Sequence, residues 1–326
     1  MQTTPNVLLT LPIHSAAEKL LSQFARIIYA PDTQPETLIV SARNADAVIV
    51  RAQLPDSFFY ASPKIKVAVR HGSGVDMIPL DQATEHNVVV ANVPGVNARS
   101  VAEYVIWALL SGRRRFMQVI NPQRLDQPLP WQWARKFADD GHEIDGSRIG
   151  IVGFGNVGKS LATMLKAVWN VEILVYNRTA ITSQVGVRQT SLDDLLTQCD
   201  AVVLALPLTE LTRHLLDAQR LALMKLGSVL INVARGPIIE EAALLPALQM
   251  HRPGLAVLDV FHQQPLSAED PLWTHPQVLL TTHIAGITDE SMRKMGEGAV
   301  IAVRDTLNGV RPQHFVNPAV WDSRRT

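Results

Sequence analysis

The chain has 326 residues, 47% hydrophobic and 18% charged, which suggests two domains with sizeable cores. Lys and Arg total 30 and Asp and Glu total 30, so no basic excess points to nucleic acid or an anionic membrane. The single cysteine, Cys199, excludes a disulfide within the chain and a cysteine-based metal site, and no apolar run is long enough to span a membrane.

Val7 to Ile13 reads as a strand, and Ser15 to Tyr29 shows helical spacing through Ala16, Leu20, Leu21, Phe24 and Ile28. Ala45 to Val50, Lys64 to Val69 and Val88 to Ala91 are further strands, making a small α/β unit. Ser100 and Glu103 have the spacing of a capping box for a helix running to about Arg115. The basic run Arg113 to Arg115 complements the dipole at that helix end and otherwise reads as a solvated face. Residues 121–148, with Pro122, Pro128, Pro130, Trp131, Trp133 and Phe137, read as an irregular connection. After it come a strand, a glycine turn, a helix from Lys159 to Trp169 and a strand from Val171 to Asn177. Leu192 to Gln198 is helical, Asp200 to Leu206 a strand, and Thr212 to Met224 carries a helix. Ser228 to Val233 is a strand, and Glu240 to Met250 a helix that Pro246 is expected to kink or split. Leu255 to Val260 and Val278 to Thr281 are the last strands, and Thr288 to Asn308 a closing helix with Thr288 as N-cap and Gly309 as stop. The N-terminus lacks a basic n-region, and Pro5, His14 and Glu18 interrupt any apolar h-region, so a reducing cytoplasm is expected.

The glycine turn, Gly153-Phe154-Gly155-Asn156-Val157-Gly158, is the strongest motif. It follows an apolar strand, opens a helix and is followed by another strand, the context that turns a glycine triplet into a dinucleotide site. Gly153 makes the tight turn, Gly155 admits a pyrophosphate, and Gly158 packs the helix on the strand. The pyrophosphate would sit on free N–H groups at the helix start. About 20 residues further on, NAD sites usually carry Asp or Glu for the ribose 2′-hydroxyl. Here Asn177, Arg178 and Thr179 occupy that end, so a 2′-phosphate is not repelled and a preference for NADP is expected, with NAD possible.

Arg235, Asp259, Gln264 and His283 stand just past strand ends in the same half. In a doubly wound sheet those ends share one edge. An arginine can hold a carboxylate and polarise the adjacent carbonyl, and a histidine can protonate the carbonyl oxygen as hydride arrives. Cys199 reads as a buried inert thiol, and His71 and His262 are given no part in proton transfer.

The loops Arg70 to Asp76, Asn97 to Glu103, Gly153 to Gly158, Asn232 to Gly236, Leu258 to Phe261 and His283 to Gly286 together resemble the D-isomer-specific 2-hydroxyacid dehydrogenases over nearly the whole chain. The resemblance implies a Rossmann-type doubly wound parallel sheet, residues 100–287, and a smaller flavodoxin-like α/β substrate-binding domain formed by 1–99 and 288–326. It also implies a homodimer and an active site in an interdomain cleft. Carried over by position, Arg235 binds substrate and polarises its carbonyl, and His283 is the acid and base. Ser73 and Gly74 hold the substrate carboxylate, and Asn97 lies on the neighbouring substrate loop. Asp259 resembles the residue that binds the nicotinamide carboxamide; Leu206, Pro207 and Thr212 line the adenosine side. Val233, Ala234, Ala285 and Gly286, with His283, border the cofactor.

Most members have Glu before a proline to orient the histidine; this chain has Gln264 before Pro265, with Glu269 reading as a solvated loop residue. Gln at that position is also found in formate dehydrogenases of the same superfamily, and Asn97, Arg235, Gln264 and His283 match their quartet. The chain lacks their longer N-terminal part and has an NADP-like strand end. Reduction of a small 2-oxo acid, with glyoxylate or hydroxypyruvate as the class, is therefore ranked above formate oxidation. A non-catalytic, nucleotide-sensing role like that of the C-terminal-binding corepressors ranks last, since nothing looks like an added interaction tail.

Overall fold

A computed structural model describes residues 4–116, 131, 135, 140–181 and 186–325. The chain divides into two compact units, 1–97 with 287–326, and 98–286.

The first unit contains strands β1 (Asn6–Leu9), β2 (Arg26–Tyr29), β3 (Ala47–Val50), β4 (Val67–Arg70) and β5 (Val89–Ala91) in the order β2-β1-β3-β4-β5. All pairs are parallel. This is the flavodoxin order. Apart from the edge strand β2, whose Arg26 and Tyr29 are exposed, the strands are short, mostly buried apolar runs, so alternate residues feed two cores. Val7, Leu9, Ala47 and Ile49 pack with helix α1 (Ser15–Leu21) and the last long helix, while Leu8, Val48 and Val50 face α2 (Pro35–Ala42), α3 (Phe58–Ala61) and α4 (Leu80–Glu85).

The second unit opens with α5 (Ala98–Arg113) and holds a parallel seven-stranded sheet. Its strands are β6 (Arg148–Val152), β7 (Glu172–Tyr176), β8 (Val187–Gln189), β9 (Ala201–Leu204), β10 (Val229–Asn232), β11 (Leu255–Leu258) and β12 (Val278–Leu280). Their order is β12-β11-β10-β9-β6-β7-β8, so the direction of winding reverses between β6 and β9. Helices α5 and α6 (Asn156–Val168) cover one face; α7 (Leu192–Gln198), α8 (Ala218–Leu223) and α9 (Glu241–Gln249) cover the other. The closing helix α10 (Asp289–Leu307) belongs to the first unit, capped by Thr288 and Ser291 in a reciprocal box.

Several elements depart from the expected ones. The helix expected over 15–29 ends at Leu21, where the Ser22 N–H donates to the Glu18 carbonyl. After a turn over residues 22–25 the stretch continues as β2, whose Ile27 and Ile28 face the two different cores. α5 starts at Ala98, so Ser100 lies inside the helix and is not its cap; Glu103 instead pairs with Arg99 one turn earlier. The helix expected over 212–224 is reduced to α8, because Asp217 caps it by accepting from the Arg220 N–H. Thr212 closes a separate turn by accepting from the Thr209 N–H at 2.7 Å. Pro246 neither splits nor stops α9. Pro246 and Ala242 are both exposed, while Ala243, Leu244 and Leu248 keep the buried face. Of the connection expected over 121–148, only Trp131, Arg135 and 140–148 are described; Pro122, Pro128, Pro130, Trp133 and Phe137 lie outside the described residues.

Candidate active site

The glycine turn lies where the second unit's winding reverses, at the carboxyl ends of β6 and β9. Each glycine meets a different constraint. Gly153 has φ +97°, and a Cβ there would lie 2.6 Å from the Ala205 carbonyl oxygen. A Cβ on Gly158 would lie 2.5 Å from the Gly153 carbonyl oxygen, so α6 can approach β6 only without a side chain. A Cβ on Gly155 would meet nothing within 4 Å, and that residue and Asn156 are exposed. Gly155 is the N-cap of α6 and offers no side-chain cap, while Asn156, Val157 and Gly158 follow with first-turn amides that no helical carbonyl can reach. The turn thus offers donors, positive dipole and open space, which is what a pyrophosphate needs.

The end of β7 is tied back to this turn. Asn177 Oδ1 accepts from the Phe154 N–H at 3.2 Å, and its Nδ2 donates to the Thr179 carbonyl and hydroxyl at 3.0 and 3.1 Å. Gln189 on β8 donates to the carbonyls of Asn177 and Thr179 and accepts from the Ile181 N–H, pinning the same loop. Arg178 is exposed and bonds to no described side chain. On the β9 side, Leu206 and Thr212 are half-buried and Pro207 exposed; the Thr212 hydroxyl donates to the Pro207 carbonyl.

After β10, Asn232 is buried and shapes the turn that presents Arg235. Its Oδ1 accepts from the Ala234 N–H at 3.0 Å and its Nδ2 donates to the Arg235 carbonyl at 2.9 Å. Val233 is half-buried and Ala234 buried in this turn, and the half-buried Arg235 donates to the Ala234 carbonyl at 2.7 Å. A Cβ on Gly236 would run into the Phe261 carbonyl, so this turn lies directly against the segment after β11.

That segment carries Asp259 and Gln264. Asp259 is 1% exposed, and its Oδ1 accepts from the Thr281 hydroxyl at 2.7 Å and the Ile284 N–H at 2.8 Å. Its Oδ2 accepts from the Ala285 N–H at 2.9 Å. The carboxylate therefore grips the turn containing His283, Ala285 and Gly286, and retains acceptor capacity beyond these bonds. His283 itself has φ +58°, a left-handed conformation unusual for a residue with a side chain. Gln264 Oε1 lies 2.9 Å from His283 Nδ1. With the amide oxygen as acceptor, Nδ1 carries a proton. The turns bearing Arg235, Gln264 and His283 thus lie against one another in succession at one sheet edge.

In the first unit, the loops after β4 and β5 are joined. The Val93 N–H donates to the Gly72 carbonyl at 2.8 Å and Asn92 Nδ2 to the Ser73 carbonyl at 2.6 Å. Arg70 donates to the carbonyls of Gly74, Val50 and His71, holding the loop from below. Ser73 is exposed and Gly74 and Asn97 are half-buried. His71 is buried, and burial with the nearby Arg51 and Arg70 charges pushes its pKa down to about 3. In the second unit, burial pushes the Cys199 thiol up to about 12, leaving it un-ionised and inert.

The residues that brace these loops, Asn232, Gln189, Thr281, Tyr104, Arg70 and Asn92, were not singled out from the sequence. Thr281 carried a faint signal, since it stands two residues before His283; Tyr104 carried none.

A family model described as the NAD binding domain of D-isomer specific 2-hydroxyacid dehydrogenases matches residues 106–285. A D-3-phosphoglycerate dehydrogenase of Methanocaldococcus jannaschii is 30% identical over 317 residues, 95% of this chain but only 59% of that protein. A glyoxylate/hydroxypyruvate reductase B of Yersinia enterocolitica is 31% identical over 294 residues, 89% of each chain. Among solved structures, an NADPH-dependent glyoxylate/hydroxypyruvate reductase of Sinorhizobium meliloti, in complex with NADP and malonate, superposes with a TM-score of 0.83 at 25% identity, covering 99% of both chains. An NAD-dependent formate dehydrogenase of Staphylococcus aureus does so with a TM-score of 0.84 at 26% identity, covering 95% of this chain and 98% of that one.

Proposed function

Because the chain belongs to the D-isomer-specific 2-hydroxyacid dehydrogenases, a family of NAD(P)-dependent oxidoreductases, we propose that it reduces a small 2-oxo acid, glyoxylate or hydroxypyruvate, with NADPH. The observation that carries this reading is the grouping of an open glycine turn, the Arg235 turn and the Gln264–His283 pair on one sheet edge. When bound, the reduced dinucleotide supplies the hydride that the carbonyl carbon receives. The first-turn amides of Asn156 to Gly158 would hold its pyrophosphate.

Arg235 binds the substrate carboxylate and polarises the adjacent carbonyl. His283, doubly protonated, keeps Nδ1–H on Gln264 and donates the Nε2 proton to the carbonyl oxygen as it gains negative charge. In the first unit the amides of Ser73 and Gly74 are assigned to the substrate carboxylate, with Asn97 on the adjoining loop. The first and last segments, 1–97 and 287–326, form the substrate-binding domain, and the enzyme works as a cytoplasmic homodimer.

The NADP preference rests on the end of β7. Asn177 brings no negative charge, and its amide already donates to the Thr179 hydroxyl, which leaves the Thr179 proton for a phosphate oxygen. Arg178 stands exposed beside it. The S. meliloti relative, described as NADPH-dependent, supports the same preference.

Formate oxidation is the second reading, favoured by the neutral Gln264 on His283. That reaction releases a bare hydride and needs no proton donor, so an uncharged partner would suffice. NADPH oxidation with glyoxylate or hydroxypyruvate, set against NAD reduction with formate, separates the two.

A further inference from the structure

We propose that Tyr104 and Thr281 are positioning residues: with Asp259 they form a directed hydrogen-bond relay from α5 that fixes the turn bearing His283. The Tyr104 hydroxyl lies 2.6 Å from Thr281 Oγ1, and Thr281 Oγ1 lies 2.7 Å from Asp259 Oδ1. The direction follows from proton counting. Asp259 accepts from two backbone N–H groups as well, so it acts as a carboxylate and has no proton to give. Thr281 has one hydroxyl proton and must spend it on Asp259. Tyr104 therefore donates to Thr281. Its burial pushes its own pKa upward, in keeping with a hydroxyl that stays protonated.

The relay ends where rigidity is needed. Asp259 accepts from Ile284 and Ala285, the two residues directly after His283, whose left-handed backbone must be held by its surroundings. The His283 N–H donates to the Asp259 carbonyl at 2.8 Å, and the Thr281 N–H to the Leu258 carbonyl at 3.0 Å. The turn is thus tied to β11 on both sides of His283. Tyr104 adds an anchor outside the sheet, on α5, whose Val105, Ala108 and Leu109 are buried in the core. A proton donor displaced by a fraction of an ångström loses much of its effect, so the catalytic value of the relay rests on the reading of His283 as the acid.

Three variants test this. Thr281→Val removes the link at constant size, Tyr104→Phe removes only its outer end, and Thr281→Ser retains the hydroxyl. Hydrogen exchange at the amides of Ile284 and Ala285 is measured first, because it needs no turnover. Exchange is expected to rise at least about tenfold in Thr281→Val, less in Tyr104→Phe, and to fall back most of the way in Thr281→Ser. In steady-state reduction, kcat should fall about tenfold or more in Thr281→Val, with KM for the 2-oxo acid within about threefold, because Arg235 lies on a separate turn. Unchanged exchange in Thr281→Val, or Ser and Val variants that behave alike, overturns the relay. Faster exchange in Thr281→Val, reversed in Thr281→Ser, in an enzyme that reduces no 2-oxo acid would leave the relay standing and sink the functional reading.

Discussion

At the scale of single residues, the proposed reaction makes Gln264 the residue whose charge should set the pH range. A neutral amide orients His283 through Nδ1 but adds no charge to stabilise the imidazolium. In Gln264→Glu the carboxylate raises the imidazolium pKa. Reduction needs the protonated ring, so its rate falls as pH rises through that pKa. The alkaline fall in kcat for 2-oxo acid reduction should therefore move up by about one unit in the variant, as read from a pH–rate profile. Asn177 offers a similar test. Asn177→Asp places a negative charge where a 2′-phosphate is to sit and should cut kcat/KM for NADPH about tenfold or more while sparing NADH. The buried His71 links stability to pH. Its folded pKa of about 3 lies below the ordinary 6.5, so between those values the unfolded chain binds the extra proton. Its contribution is complete above about pH 6.5 and is lost as pH falls toward 3, by up to about 1.4 kcal/mol per unit. Melting temperature measured from pH 7 to 4 should drop less steeply in His71→Gln than in the parent chain.

At the scale of elements, Pro246 shows how local preference yields to packing. α9 keeps its course because the apolar face of Ala243, Leu244 and Leu248 is buried while Pro246 lies on the exposed side. Pro246→Ala restores a helical N–H and should raise unfolding free energy by about 1–3 kcal/mol in denaturant titration. Most of the parallel strands could be read from the sequence because each is an unbroken apolar run covered on both faces. β2 could not. Phe24 and Ile28 extend the helical spacing of α1, and only pairing with β1, which no local pattern encodes, settles Arg26–Tyr29 as a strand. The helix starts at Ala98 and Ala218 are not locally legible for a related reason: Ser100 has the chemistry of a cap but lies within a helix already begun, and Asp217, not Thr212, caps the helix that follows it.

At the scale of the whole molecule, two parallel sheets share a design in which strand ends carry the polar turns. The candidate site residues are legible in sequence because glycine spacing, an arginine and a histidine past strand ends are local signals. Their supports are not. Tyr104 and Thr281 lie 177 positions apart, and Asn177 meets Phe154 across 23; only the folded sheet brings such pairs together. The family is established by the matched nucleotide domain and by a relative aligned over 89% of each chain. The most direct test is a comparison of kcat/KM for NADPH and NADH across a panel of 2-oxo acids, with formate plus NAD run in parallel. Reduction of glyoxylate or hydroxypyruvate at least about tenfold better with NADPH than with NADH is the expected result. Equal efficiency with both nicotinamides would remove the NADP preference, and turnover of formate with NAD alone would contradict the proposed reaction.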